Sequence, residues 1–220
     1  MDLILYLLVF IIPLIAQFNV SSTYSKYKKL ANTKGLCGQE VARKILDANG
    51  LDRVHIVEVR GNLSDHYDPK QKVVRLSTEV FHGESIASLA VAAHECGHAI
   101  QDKENYSWLR LRTVFVPIVN IITYSAYIIL FASIFLQIIN WLPVAIAMVF
   151  IGLLFQLITL PVEFNASDRA LKQLNKLSLV TKEDSDGAGQ MLKAAAWTYV
   201  AAVLSSLLNL LRLLRAFDRD

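Results

Sequence analysis

At 220 residues, 54% of them hydrophobic, and with a mean hydropathy of +0.41, the chain is too apolar for an ordinary soluble domain and calls for membrane spans. Two cysteines, Cys37 and Cys96, cannot make a disulfide framework, and neither has a C-x-x-C partner. The net charge of +3, carried by unevenly placed basic residues, bears on orientation in a bilayer and not on nucleic acid, so no nucleic-acid partner is expected.

Residues 3–25 carry no charge. A secretory signal peptide would open on basic residues and end at a small-x-small cleavage site. Here the only early charge is Asp2, and Ile15-Ala16-Gln17-Phe18 is a poor site, so residues 1–25 are read as an uncleaved transmembrane helix. Lys26, Lys28 and Lys29 follow at once and put that end in the cytosol. A polar segment, 26–112, comes next. Gly38 to Asn49 reads as an amphipathic helix stopped by Asn49-Gly50, and Val54 to Val59 as a strand. Residues 61–69 form a turn-rich loop, and Val73-Val74-Arg75-Leu76 a second short strand. Glu84 to Lys103 is a long helix that contains His94-Glu95-Cys96-Gly97-His98.

Residues 113–162 hold no charge at all, too long a run for one span. Asn140-Trp141-Leu142-Pro143 divides it into two, 113–139 and 142–162, a hairpin that returns the chain to its starting side. Segment 163–190 opens on an amphipathic helix from Glu163 and continues into a Gly-containing linker at 181–189. Segment 191–220 is a hydrophobic helix whose charge-free run, 194–211, is marginal as a fourth span. Crossing fully would put Arg212, Arg215 and Arg219 on the wrong side for the positive-inside rule. Segments 26–112 and 163–193 hold nearly all the Lys and Arg, which places both in the cytosol. The sequons at Asn62, Asn105 and Asn165 would be inert there.

The chemistry centres on His94 and His98. Four residues apart on a helix, they share one face and can bind one zinc ion through ring nitrogens at about 2.0–2.1 Å. Glu95 points to the neighbouring side, as suits a general base acting on water. Cys96 reads as a small core residue. A catalytic zinc site needs a third ligand. Glu163 returns to the same membrane face at the start of a helix. It reads equally as that ligand or as a carboxylate that marks the end of a span and favours a helix N-terminus.

His94-Glu95-x-x-His98, two spans, then Glu163-Phe164-x-Ala166 resembles the membrane zinc peptidases related to HtpX and the CAAX prenyl-protein peptidases. Those carry H-E-x-x-H and a downstream E-x-x-x-D, the Glu serving as third zinc ligand. The chain is more similar still to the small YugP-like neutral zinc metallopeptidases. The matching strings include Asp65-His66-Tyr67-Asp68-Pro69, Val74-Arg75-Leu76-Ser77, Val91-Ala92-Ala93-His94-Glu95-x-Gly97-His98-Ala99-x-Gln101, Pro161-Val162-Glu163-Phe164-x-Ala166-Ser167 and Thr198-Tyr199-Val200-Ala201-Ala202. The resemblance implies one Zn2+ per chain held by His94, His98 and Glu163, and hydrolysis of a protein or peptide substrate, membrane proteins included. Ser167 stands where the HtpX pattern has an Asp that holds a ligand histidine. Ser167 can accept such a bond, and Asp168, one residue on, is the alternative.

In the implied mechanism Glu95 moves the proton. His66 or Tyr67 is the candidate donor to a developing oxyanion, or else both only order the Asp-Pro turn. Val73, Val74, Arg75 and Leu76 are expected to form an edge strand to which an extended substrate adds. His55 and His82 read as surface residues. Three rivals are a site-2-type intramembrane zinc protease, a non-catalytic membrane scaffold with a chaperone-like role, and a zinc amidase acting on a small molecule. The expectation is a mainly α integral protein of the plasma membrane. It has three or four transmembrane helices in the lipid bilayer and a small α+β zincin-like catalytic unit in the cytosol.

Overall fold

The computed structural model describes residues 2–61, 64–136 and 141–217. Asn62 and Leu63 of the expected loop, Asn140 at the expected hairpin break, and Arg219 lie outside them. The elements in chain order are α1 (Asp2–Lys28), α2 (Gly38–Ala48), β1 (His55–Val59), β2 (His66–Asp68), β3 (Val73–Ser77), α3 (Thr78–His82), α4 (Ile86–Lys103), α5 (Ser107–Leu136), α6 (Trp141–Lys176) and α7 (Lys182–Phe217). Among the described residues three stretches are long and apolar enough to cross a membrane: Ile4–Lys28, Leu142–Lys176 and Lys182–Arg215. Helix α5 covers the expected 113–139 span as far as Leu136. The chain is thus a mainly α membrane protein with a small mixed unit.

Two compact units divide the chain. One comprises Met1–Gln17, Ser107–Pro161 and Trp197–Asp220. Within it Ser205 Oγ donates to the Val9 carbonyl at 2.7 Å, and the Arg212 guanidinium lies 4.1 Å from the centre of the Tyr6 ring. These contacts tie the C-terminal part of α7 to the start of α1.

The other unit comprises Phe18–Tyr106 and Val162–Ala196. Its core is built where the apolar stripes of its helices meet. Val41, Ala42, Ile45 and Leu46 of α2, spaced at helical period, all face inward. They pack with Val74 and Leu76 of β3, with α4, with Ala170 and Leu174 of α6 and with Met191 and Leu192 of α7. Tyr27, from the last turn of α1, joins the same core, and its hydroxyl donates to Gln190 Oε1 at 2.8 Å.

The sheet departs from expectation in two respects. Its order is β1-β3-β2, with β1 parallel and β2 antiparallel to β3. Strand β3, expected at an edge, is therefore the central strand. Val73, Val74 and Arg75 are paired on both sides and Leu76 is paired with β1, so this strand is not the free edge expected for a substrate. The covering strand is β2, His66–Asp68, which lies inside the stretch expected to be all loop. The second correction concerns 181–189. Helix α7 already begins at Lys182, capped by Thr181, whose Oγ1 accepts from the Asp184 N–H at 3.3 Å, and started by Glu183 and Asp184. Gly187 is not a linker residue: a Cβ there would stand 2.8 Å from the Tyr27 ring.

Helix α4 is apolar on nearly every side, and 14 of its 18 residues are buried. Its cover is α2, the sheet and α6, which is the setting of a core helix in a mixed unit. This disfavours the reading in which the His94–His98 helix is itself a span.

Candidate active site

Helix α4 starts at Ser85, whose Oγ accepts from the Ser88 N–H at 3.1 Å. About two and a half and three and a half turns further on, His94 and His98 project side by side, their ring centres 4.8 Å apart and their planes 84° apart. The third group comes from α6. Helices α4 and α6 touch backbone to backbone at this level: a Cβ on Gly97 would lie 2.5 Å from the Ala166 carbonyl oxygen. With no side chain between the helices, Glu163 and Ser167, one turn apart on α6, reach the histidines.

Glu163 Oε2 lies 3.2 Å from His94 Nε2 and 3.6 Å from His98 Nε2. All three ligand atoms are within 4.8 Å of one another, and the glutamate is only 2% exposed. Donors about 2.0–2.1 Å from a tetrahedral zinc ion sit about 3.3 Å from each other. The spacing, the imidazole–carboxylate chemistry and the burial of these side chains therefore fit zinc.

The opposite ring nitrogens are also engaged. His94 Nδ1 is 3.3 Å from Ser167 Oγ, and His98 Nδ1 is 3.0 Å from Gln101 Oε1. Asp168 does not share this role. One residue further round the helix, about 100° away, it is exposed to solvent. Glu95 is buried beside the pair, and its Oε2 accepts the Tyr67 N–H from β2 at 2.9 Å. Burial is the main cause that pushes its carboxyl up to about 7.

The remaining expected residues fall as follows. The Tyr67 hydroxyl donates to Asp102 Oδ2 at 2.7 Å; burial first, and this carboxylate second, raise its pKa well above the usual phenol value. Lys72 pairs with the same carboxylate. His66 is exposed, its Nδ1 2.8 Å from the Ser64 carbonyl. His55 is exposed on β1, and His82 is exposed with Nε2 3.2 Å from Glu58. Cys96 is fully buried against α2. Two residues next to the site carried no functional reading in the sequence, Gln101 and Asn165. The spacing that could have marked Gln101 is its place three residues after His98, one turn along the same face.

Two histidines and a glutamate at this spacing, next to a second buried carboxylate, define the zinc-peptidase class. Residues 2–218 match the family described as "Putative neutral zinc metallopeptidase", and the chain belongs to that family. It is 45% identical over 202 residues to a protein of Bacillus subtilis (strain 168) named "Putative membrane protease YugP", covering 92% of this chain and 90% of that one. No solved structure matches it significantly.

The contact between α4 and α6 makes a sharp prediction. Gly97→Ala inserts a methyl group against the Ala166 backbone and is expected to destabilise the fold by about 1–3 kcal/mol. It also moves Glu163 away from the histidines, so the purified protein should melt earlier and retain less zinc by elemental analysis.

Proposed function

We propose that this protein is a zinc-dependent endopeptidase of the plasma membrane that cleaves protein or peptide substrates, membrane proteins among them, at a site facing the cytosol. The observation that carries this reading is the meeting of His94, His98 and Glu163 with Glu95 buried next to them. A scaffold with a vestigial site has no need of a complete ligand set and a buried base.

His94 and His98, through Nε2, and Glu163, through its carboxylate, would hold the ion. When bound, zinc supplies Lewis acidity towards a water molecule and the scissile carbonyl. Glu95 takes the proton of the attacking water and passes it to the leaving amine. A carboxyl group with a pKa near 7 suits both directions of transfer at neutral pH. The Tyr67 N–H holds this carboxylate from the β2 side and so fixes the face from which it works. Strand β2, not β3, is an edge of the sheet, but its Tyr67 N–H is already given to Glu95, so we assign a substrate ladder to neither strand. The Tyr67 hydroxyl is committed to Asp102. With that hydroxyl engaged, we assign the candidate donor to a developing oxyanion to His66, next to Tyr67 on β2.

The cytosolic orientation rests on the basic residues of segments 26–112 and 163–193.

Two experiments test this reading. In the first, detergent-purified protein loaded with zinc is given an unfolded protein substrate. Glu95→Gln should lose at least about 10²-fold in cleavage rate while keeping stoichiometric zinc, and a chelator should abolish wild-type cleavage. Equal cleavage by both proteins would remove Glu95 from the mechanism. The second uses the partly exposed Cys37 as a reporter, since Cys96 is buried. A membrane-impermeant maleimide should label Cys37 only in permeabilised cells, with Cys37→Ser as the control. Labelling in intact cells would place the unit on the outer side.

A further inference from the structure

Gln101 is fully buried at the C-terminal end of α4, and all of its hydrogen-bonding capacity points to one purpose. Its Nε2 lies 2.8 Å from the Val162 carbonyl and 2.9 Å from Asn165 Oδ1, both on α6. A main-chain carbonyl only accepts, so the amide nitrogen of Gln101 must face α6 and its oxygen must face His98. Asn165 is oriented in the same sense. Its Oδ1 also receives Arg169 Nε at 2.7 Å, and a guanidinium only donates. Arg169 is in turn held by Glu104, 2.7 Å from its Nη1. The direction of every bond in this row is therefore set by groups that cannot reverse: Arg169 at one end and the Val162 carbonyl beside Gln101.

The outcome falls on His98. Gln101 Oε1, 3.0 Å from His98 Nδ1, can only accept, so Nδ1 carries the proton and the lone pair is left on Nε2. Nε2 is the atom that faces Glu163. His94 has no such guarantee, because Ser167 Oγ can donate or accept. We infer that Gln101 is a positioning residue that locks His98 in the tautomer able to bind a metal, and that it takes its own orientation from the Val162 carbonyl and Asn165 of α6. This rests on the reading of His98 as a zinc ligand.

The test uses the full-length protein in detergent with its histidine rings labelled with nitrogen-15. Zinc affinity is measured by competition with a chelating dye, and the tautomer of His98 is read from ring nitrogen shifts in the metal-free protein. Gln101→Met, similar in length but without hydrogen bonds, should weaken zinc binding about 10–100-fold and abolish the preference for Nδ1–H. Gln101→Glu keeps an acceptor for His98 and should keep the Nδ1–H tautomer, although it loses both bonds to α6. A purely structural role would make the two variants fail alike, with the tautomer unchanged in whichever remains folded. Unaltered affinity and tautomer in Gln101→Met would overturn the proposal, as would loss of Nδ1–H in folded Gln101→Glu. Wild-type protein that binds no zinc would defeat the ligand reading instead, and the tautomer measurement would still decide the role of Gln101.

Discussion

The close approach of α4 and α6 is the constraint on which the site depends. Neither helix carries a complete zinc-binding set: α4 brings two imidazoles and α6 one carboxylate. A glutamate side chain is short, and it bridges helices only where their backbones nearly touch. Gly97 opposite Ala166 provides that contact, and the fully buried Ala93 and Ala170 keep the neighbouring turns small. The bonds that orient the rings, Ser167 to His94 and Gln101 to α6, cross the same interface. Ligand geometry and helix packing are consequently a single property, and one methyl group in the wrong place disturbs both.

Such an arrangement gathers ionisable groups in a part of the fold where water is scarce. Burial of an unpaired carboxylate is costly, and the fold deals with the two buried glutamates of the site differently. Glu163 is matched with the two histidines. Among the described residues Glu95 accepts one hydrogen bond, from the Tyr67 N–H, and burial raises its carboxyl to about 7. One carboxylate is thereby suited to hold and the other to exchange a proton. The three-stranded sheet contributes to this site by lending the Tyr67 amide to Glu95, a part that its small size would not suggest.

Local patterns in the sequence were readable because their causes are local. The period of His94 and His98, the apolar stripe of α2 and the long uncharged runs each follow from neighbours along one helix. Errors arose where the cause was distant. Strand β3 is central only because His66–Asp68 covers it, and those three residues sit among turn formers before Pro69. Gly187 reads as a breaker, yet it is there to admit the Tyr27 ring from the far end of the chain. Ser167 and Asp168 read as alternatives along the sequence, and a single helical step decides which of them meets His94. Gln101 closes the apolar run that Asp102 ends, and its partners lie on another helix. It is buried only because α6 arrives from more than sixty positions away to cover it.

The unit that holds the site is assembled from two stretches of chain, Phe18–Tyr106 and Val162–Ala196, with the whole of Ser107–Pro161 between them. This has a consequence for synthesis. A ribosome releases His94, Glu95 and His98 long before it releases Glu163. Until the intervening helices have been made, the nascent chain carries a metal pair without its third ligand and a core without α6. The unit can therefore close only after both of its stretches have been made.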